Sequence, residues 1–411
     1  MPKLRFPEFC GDDVWNEMPL DGLSKRIRRK VGSKELTPVS ITAGFGFVDQ
    51  TKKFGRRIAG EQYKNYIHIQ RGDFVYNKGN SKTFAQGCIY QLKEFEEAAA
   101  STAFICFKLN ASCVDIYFQN LFECNTHGRK LLKFITSGAR SDGLLNINPT
   151  DFFSIELPLP PRKEEQQRIA ECLSAVDEVI AAQARKLDAL KSHKKGLMQE
   201  LFPREGETQP RLRFPEFQDA PEWGEKAIGD FGEVVTGNTP STVRREYYGG
   251  CIPFVSPADI SDLRFVERTK KTLTSLGFEQ TRQIKANSVL FVCIGSIGKA
   301  AQNTQECATN QQINSVIPNS DLSDGFVYFA LSHHAERIAK LAGRQAVPIV
   351  NKTLFSSVKM LVPKLREQER IANCLSSLDE LIFGQSNKLE ALKTHKKGLM
   401  QQLFPSPEFN L

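Results

Sequence analysis

The chain has 411 residues, of which 40% are hydrophobic and 25% charged, with a net charge of +8 and a pI near 8.9. That length exceeds what one core usually supports, so two or more domains are expected, and the composition excludes a largely disordered or fibrous chain. No run approaches the roughly 18 apolar residues that span a bilayer, the opening MPKLRFPEFCGDDVW has no signal-like apolar core, and the ten cysteines stand singly without zinc or disulfide spacing. The expectation is a cytoplasmic protein with no metal site and no membrane partner.

In chain order, residues 1–159 read as a first mixed α/β domain. It opens on PKLRFPEF (Pro2–Phe9), followed by Trp15. Strand-like runs follow: FVYNKG near Phe74, CIYQLK near Cys88 and AFICFKL near Ala103, bounded by turn formers. Lys and Arg outnumber Asp and Glu by 22 to 16 over residues 1–155, against 18 to 17 over residues 204–361, so a polyanion should touch the first region. Its basic clusters are Lys25, Arg26, Arg28 and Arg29 in KRIRRK, then Lys52, Lys53, Arg56 and Arg57 in TKKFGRR, then Lys78 and Lys82 in NKGNSKT. Set among Gly, Asn, Ser and Thr, they suit phosphate contact with amide readout of base edges. The ordinary alternative for any one cluster is a solvated charged face.

Residues 160–205 read as a long helix. Ile169, Leu173, Val176, Ile180, Gln183, Leu187, Leu190, Lys194, Leu197 and Leu201 follow the 4-3 spacing of a coiled-coil seam. Pro161 precedes the segment and Pro203 ends it, which predicts roughly 38 residues and about 57 Å.

Residues 206–363 form a second expected domain, opening on PRLRFPEF (Pro210–Phe217) and Trp223, with strand-like IPFVSP near Ile252 and SVLFVCIG near Ser288. Its candidate DNA contacts are Arg244, Arg245, Lys270, Lys271 and Lys299, with Gln311 and Gln312 in TNQQIN. Residues 364–411 hold a second helix and a tail. There Ile371, Leu375, Leu378, Ile382, Gln385, Leu389, Leu392, Lys396, Leu399 and Leu403 repeat the seam.

Glu164–Pro203 aligns without a gap to Arg366–Pro405 and is identical at 27 of 40 positions, which makes an internal duplication certain. Each helix is the obvious partner of the other. The fold class is therefore α+β: two unlike domains separated by two long helices in an antiparallel coiled coil, related by a pseudo-two-fold axis. Within HKKGLMQ, the candidate partner-binding residues are His193, Lys194, Gly196 and Met198, and their equivalents His395, Lys396, Gly398 and Met400. Glycine inside a helix costs about 1 kcal/mol against alanine, so a close helix approach or an outside partner should explain why both copies have it.

Catalytic signals are absent. GSIGKA (Gly295–Ala300) lacks P-loop spacing, GFGF (Gly44–Phe47) lacks a dinucleotide fingerprint, and NPT (Asn148–Thr150) lacks the aromatic of an adenine methyltransferase loop.

The alternation of variable region and repeated helix, the Q-Q/E-R-I-A openings (Gln166–Ala170, Gln368–Ala372) and the KKGLMQ-LFP endings resemble the specificity subunit of type I restriction-modification systems. WGEKAIGDFGEVVTGNTPS (Trp223–Ser241), IPFVSPADI and GSIG resemble parts of its target-recognition domains, whereas the first region has no clear GNTPS. The resemblance implies a non-catalytic subunit whose two domains each read half of a split, asymmetric double-stranded DNA target, while the helices set the spacer and dock partners. Those partners would be two modification and two restriction subunits, carrying S-adenosylmethionine, ATP and Mg. A coiled-coil scaffold that binds only proteins, and an orphan or silent specificity subunit, are the alternatives.

Overall fold

Both seam-bearing stretches are helical over 39 residues, Lys163–Leu201 and Leu365–Leu403, in the computed structural model. Every seam position is buried or half-buried, while neighbouring apolar residues such as Val179 and Phe383 face solvent. The structure describes residues 1–42, 44–54, 61–79, 84–135, 145–343 and 347–405. Among these, no helix is long and apolar enough to cross a membrane. The chain divides into two units, Met1–Ala182 with Glu390–Leu411, and Gln183–Leu389, so each unit takes one variable region and a part of both helices.

The first unit holds two four-stranded sheets. One runs in the order Ser24–Arg26, Ile105–Leu109, Phe74–Asn77, Cys88–Gln91, all antiparallel. The other runs Gly46–Asp49, Pro38–Thr42, Glu97–Ala100, Ile67–Gln70, with one parallel pair in its centre. The runs expected at Phe74, Cys88 and Ala103 are thus all strands. Phe74, Tyr76, Phe107, Tyr117, Phe118, Phe122 and Phe152 make an aromatic core that also takes in Ile169 and Leu173 of the first helix and Met400, Leu403 and Phe404 of the second. Burying each such side chain stabilises by about 1.5–3 kcal/mol, so this core seats both helix pieces on the domain.

In the second unit a five-stranded sheet runs Gly232–Thr236, Ile313–Pro318, Val289–Val292, Ala300–Asn303, Phe265–Val266. A three-stranded one runs Lys271–Leu273, Tyr248–Val255, Ala308–Thr309. Trp223, Phe231, Phe291, Phe326, Phe329 and Phe355 form its main core with Leu201 and Phe202 of the first helix and Ile371 and Leu375 of the second.

Within each unit the two helix pieces run antiparallel, since numbers rise along one as they fall along the other. In the second unit Gln183 donates to Gln385 at 3.0 Å, and Lys194 reaches Asp379 at 2.5 Å. In the first, Lys396 pairs with Asp177 at 2.8 Å and with Glu123 at 3.5 Å.

The repeated octapeptide finds its use here. In the first unit Arg5 Nε and Nη2 donate to the two oxygens of Glu165, both at 2.8 Å, and Trp15 Nε1 donates to Glu165 Oε1 at 3.1 Å. In the second, Arg213 does the same to Glu367 at 2.8 Å, with Trp223 Nε1 at 3.3 Å. The next helix residue accepts a backbone amide at the start of a domain helix: Val114 N–H to Gln166 at 3.0 Å, Ser323 N–H to Gln368 at 2.9 Å. Arg168 lies 5.3 Å from the Phe6 ring centroid and Arg370 lies 4.3 Å from that of Phe214. LRFPEF and E-Q-x-R-I-A are therefore complementary halves of one clamp, built twice. FFSIELPLP (Phe152–Pro160) and LFSSVKMLVP (Leu354–Pro363) close the two domains alike. The strand after the tryptophan pairs with the last strand before the helix, Asn16–Pro19 with Glu156–Leu159 and Gly224–Ala227 with Lys359–Val362.

The first core also contains a titratable group. His127 is fully buried edge-on to Phe122 and Tyr76, with Nε2 3.3 Å from the Gly87 carbonyl. Burial pushes this imidazole down to about 4, against a smaller upward pull from the Gly87 carbonyl. The unfolded chain binds a proton at His127 below about 6.5 and the folded one does not, so the stability is complete above that pH and is lost as pH falls towards 4. The expected loss is on the order of 3 kcal/mol in the first unit. Urea midpoints at pH 7 and 4.5 should differ more for the native chain than for His127→Leu; equal shifts would refute the assignment.

Candidate nucleic-acid interface

The second unit brings three of the expected cations to one place. Tyr248–Val255 carries a bulge in which both Tyr248 and Ile252 lie opposite Leu273, and the short helical turn Arg245–Tyr247 precedes it. Arg245, Lys270 and Lys271 there line an open depression of about 400 Å³ with Thr242, Tyr248, Gly249 and Thr272. None of the seven lining residues is acidic, and the two hydroxyl groups of threonine add donors, so the depression suits an oxyanion such as a backbone phosphate. Arg244 stands beside it, 5.8 Å from the Tyr247 ring centroid and 3.9 Å from Glu246.

Next to this lies the TGNTP loop. A Cβ on Gly237 would meet Thr309 Oγ1 at 2.2 Å and the Thr309 and Asn310 carbonyls at 2.3 and 2.4 Å, so only glycine lets this loop lie against TNQQIN. Thr239 donates to Gln311 at 2.8 Å, Asn238 donates to the Gln280 carbonyl at 2.9 Å and accepts from Arg282 N–H at 2.8 Å, and the Tyr248 hydroxyl donates to the Pro240 carbonyl at 2.8 Å. Gln311 is exposed on this edge. Gln312 is half-buried, accepting from Asn310 at 2.9 Å, and serves the loop rather than its surface. The GNTPS motif is thus a structural lock that holds polar side chains beside the cationic depression.

Lys299 stands apart from the other expected cations. It lines a separate depression with Asp262, Glu336 and Tyr328 and donates to the Ile260 carbonyl at 3.5 Å. Two carboxylates at that depression disfavour a phosphate.

In the first unit the cations are spread out. Lys25 and Arg26 are exposed on the edge strand Ser24–Arg26, followed by exposed Arg28 and by Arg29, whose guanidinium donates to the His68 carbonyl at 3.4 Å. Partial burial, and then the charge of Arg28, hold Arg26 below the usual arginine range. Lys52 is exposed on the short helix Gln50–Phe54 of the other sheet, and Lys78 is half-buried at the end of Phe74–Asn77. The side chain of Lys53, and Arg56, Arg57 and Lys82, lie outside the described residues.

The repeated HKKGLM segment separates into inner and outer residues. Lys194 is held by Asp379 and lies 5.1 Å from the Phe329 ring centroid. Burial opposes the charge on Lys396, but the Asp177 and Glu123 carboxylates outweigh it and raise its pKa. Met400 belongs to the first core, and Met198 packs on the second. Of these four candidates for a partner, the two lysines lie on the seam and the two methionines pack against the domain cores. His193 and His395 are exposed. Around Gly196 and Gly398 a Cβ would meet nothing within 4 Å, so no close helix approach explains the two glycines.

The residues that sequence reasoning missed are the clamp, Arg5, Trp15 and Glu165 with Arg213, Trp223 and Glu367, and the loop residues Asn238, Thr239 and Arg282. Co-occurrence of LRFPEF with E-Q-x-R-I-A was the signal for the clamp.

The family described as "Type I restriction modification DNA specificity domain" matches residues 51–192 and 221–393. The chain belongs to that family. It is 32% identical over 146 residues to the Type I restriction enzyme HindI specificity subunit of Haemophilus influenzae, a match covering 34% of this chain and 32% of that protein. A longer match, 24% identical over 340 residues, covers 81% of this chain and 77% of the putative type I restriction enzyme MjaX specificity subunit of Methanocaldococcus jannaschii. The chain spans about a third of the first relative's length and, at 28% identity, about two fifths of the MjaIX specificity subunit from the same archaeon. Two solved structures share the fold. One, from work on complex assembly and conformational transition of the type I R-M system, has a TM-score of 0.60 at 17% identity and covers 98% of this chain and 100% of that one. The other, the S subunit of M. genitalium, has a TM-score of 0.58 at 15% identity and covers 99% of each.

Proposed function

We propose that the chain is the DNA sequence-recognition subunit of a type I restriction-modification complex. Each variable domain reads one half of a bipartite, asymmetric double-stranded target. The observation that carries this reading is the contrast between constant and changed parts: the same Arg–Glu–Trp clamp joins each domain to its helix, while the sheets differ in strand number and order. Two unlike readers on one repeated mount are what an asymmetric target needs.

The helices act as spacer and docking surface, paired as an antiparallel coiled coil with pseudo-two-fold symmetry. Supporting this, the contacts are reciprocal between the repeats: Lys194 with Asp379 answers Lys396 with Asp177, and Gln183 meets its own equivalent, Gln385. His193 and Gly196, with His395 and Gly398, form two copies of a docking site for two modification subunits, and two restriction subunits complete the assembly. S-adenosylmethionine, ATP and Mg belong to those partners. This chain supplies address and geometry, acts in the cytoplasm and catalyses nothing.

A genome-wide map of methylated adenines tests both parts. Deleting the gene should abolish one split, asymmetric motif, and the native gene should restore it. A Gly196→Leu/Gly398→Leu chain should fold normally, since open space awaits both side chains, yet restore less than a tenth of the methylation. An unchanged map after deletion favours a silent subunit or a protein scaffold, and full restoration by the leucine variant refutes the docking site.

A further inference from the structure

GFGF, which is no nucleotide motif, forms the tip of a hairpin. Strands Pro38–Thr42 and Gly46–Asp49 pair Thr42 with Gly46 and leave Phe45 at the end, 84% exposed. A lone exposed apolar residue is ordinary, but this one is held in place. Phe45 N–H donates to the Thr42 carbonyl at 3.0 Å, and Gly44 N–H donates to the Tyr90 hydroxyl at 2.8 Å. Gly44 and Gly46 both have φ +84°, a conformation that few other residues adopt, so this tight tip needs both glycines. Behind the tip, Thr42, Val48, Asp49, Lys52 and Phe95 line a depression of about 430 Å³, where Asp49 is engaged by the Thr51 amide and exposed Lys52 balances its charge and supplies the cation.

A braced two-stranded ribbon fits the major groove, which is about 12 Å wide, and a cation behind it reaches the phosphates. The groove offers an aromatic tip one apolar group to contact, the 5-methyl of thymine. A protein partner would need a contiguous apolar patch, and the residues flanking Phe45 are glycines.

We propose that Phe45 is a specificity-determining residue of the first domain that packs on a thymine 5-methyl group in the major groove. This rests on the DNA-reading function proposed above. The test uses the full chain and a duplex that it selects from a random pool, with each thymine in turn replaced by deoxyuridine, which removes only the methyl group. At one position the native chain should bind about 4-fold more weakly, the value of one buried methyl. Phe45→Ala should bind the thymine duplex about 10-fold or more weakly and be indifferent to that uridine, while Phe45→Leu keeps most of both effects.

Uridine effects that are absent, or equal in the native and Phe45→Ala chains, overturn the proposal. So does a Phe45→Ala chain that binds DNA normally but no longer captures its modification subunit, which would make Phe45 a protein contact. If the native chain selects no duplex, the DNA-reading function itself fails, and the thymine contact with it.

Discussion

Replacing Glu165 by alanine should unfold the first unit well before the second, with a loss of about 3–5 kcal/mol. The side chains of Arg5 and Glu165 are 7% and 1% exposed, so truncating the carboxylate strands a buried guanidinium and leaves the Trp15 N–H without its acceptor. In the native chain the Glu165 hydrogen bond, against the desolvation cost, raises the Arg5 pKa; without it the guanidinium still cannot escape by losing its proton, because arginine is not deprotonated in proteins. Glu367→Ala should do the same to the second unit through Arg213 and Trp223. The chain has two tryptophans, one at each clamp, so intrinsic fluorescence during urea unfolding should resolve into two steps when one unit is weakened. Arg5→Met combined with Glu165→Leu should recover much of the loss, because the unpaired charge rather than the missing attraction is what destabilises. A loss below about 1 kcal/mol for Glu165→Ala would show that the clamp is decorative.

Removing Arg245, Lys270 and Lys271 together, each to alanine, should weaken DNA binding about 100-fold at low salt. The estimate takes about 1 kcal/mol per exposed charge facing a phosphate. The slope of log affinity against log salt should fall by about 2 to 3, one phosphate per cation removed. All three side chains lie on an open surface, so the fold is unaffected. Lys299→Ala is the internal control: its carboxylate-lined depression predicts an unchanged slope. If the triple variant keeps its slope, the phosphate contacts lie elsewhere in the chain.

Much of the architecture could be read from the sequence because its signals are periodic or repeated. Ten seam positions per helix at 4-3 spacing, with prolines at both ends, left little alternative to two long helices, and bounded β-branched and aromatic runs marked strands. Sheet order was beyond reach, since pairings such as Gly232–Thr236 with Ile313–Pro318 join residues about eighty positions apart. At the candidate interface composition named the cations, but only the bulge at Tyr248–Val255 gathers Arg245, Lys270 and Lys271 and leaves Lys299 aside. Lysines on a seam look available to a partner in sequence; Lys194 and Lys396 are occupied because an aspartate comes opposite each when the repeats run antiparallel.

The clamp bears on how such genes can diversify. Its charged groups and its indole lie outside the stretch between Trp15 and the closing strand Glu156–Leu159, and outside the equivalent stretch of the second half. Two kinds of contact reach inward: Gln166 to the amide of Val114, matched by Gln368 to that of Ser323, which any residue but proline offers, and apolar packing of Trp15 near Tyr117 and Trp223 near Phe326, with Ile169 and Ile371 in the domain cores. Homologous recombination through the repeated LRFPEF and E-Q-x-R-I-A codons would therefore deliver a whole foreign cassette whose ends already fit the mount. A new address is then acquired in one genetic exchange wherever the incoming domain also brings apolar partners for the indole and the helix isoleucine, as Tyr117 and Phe326 do here.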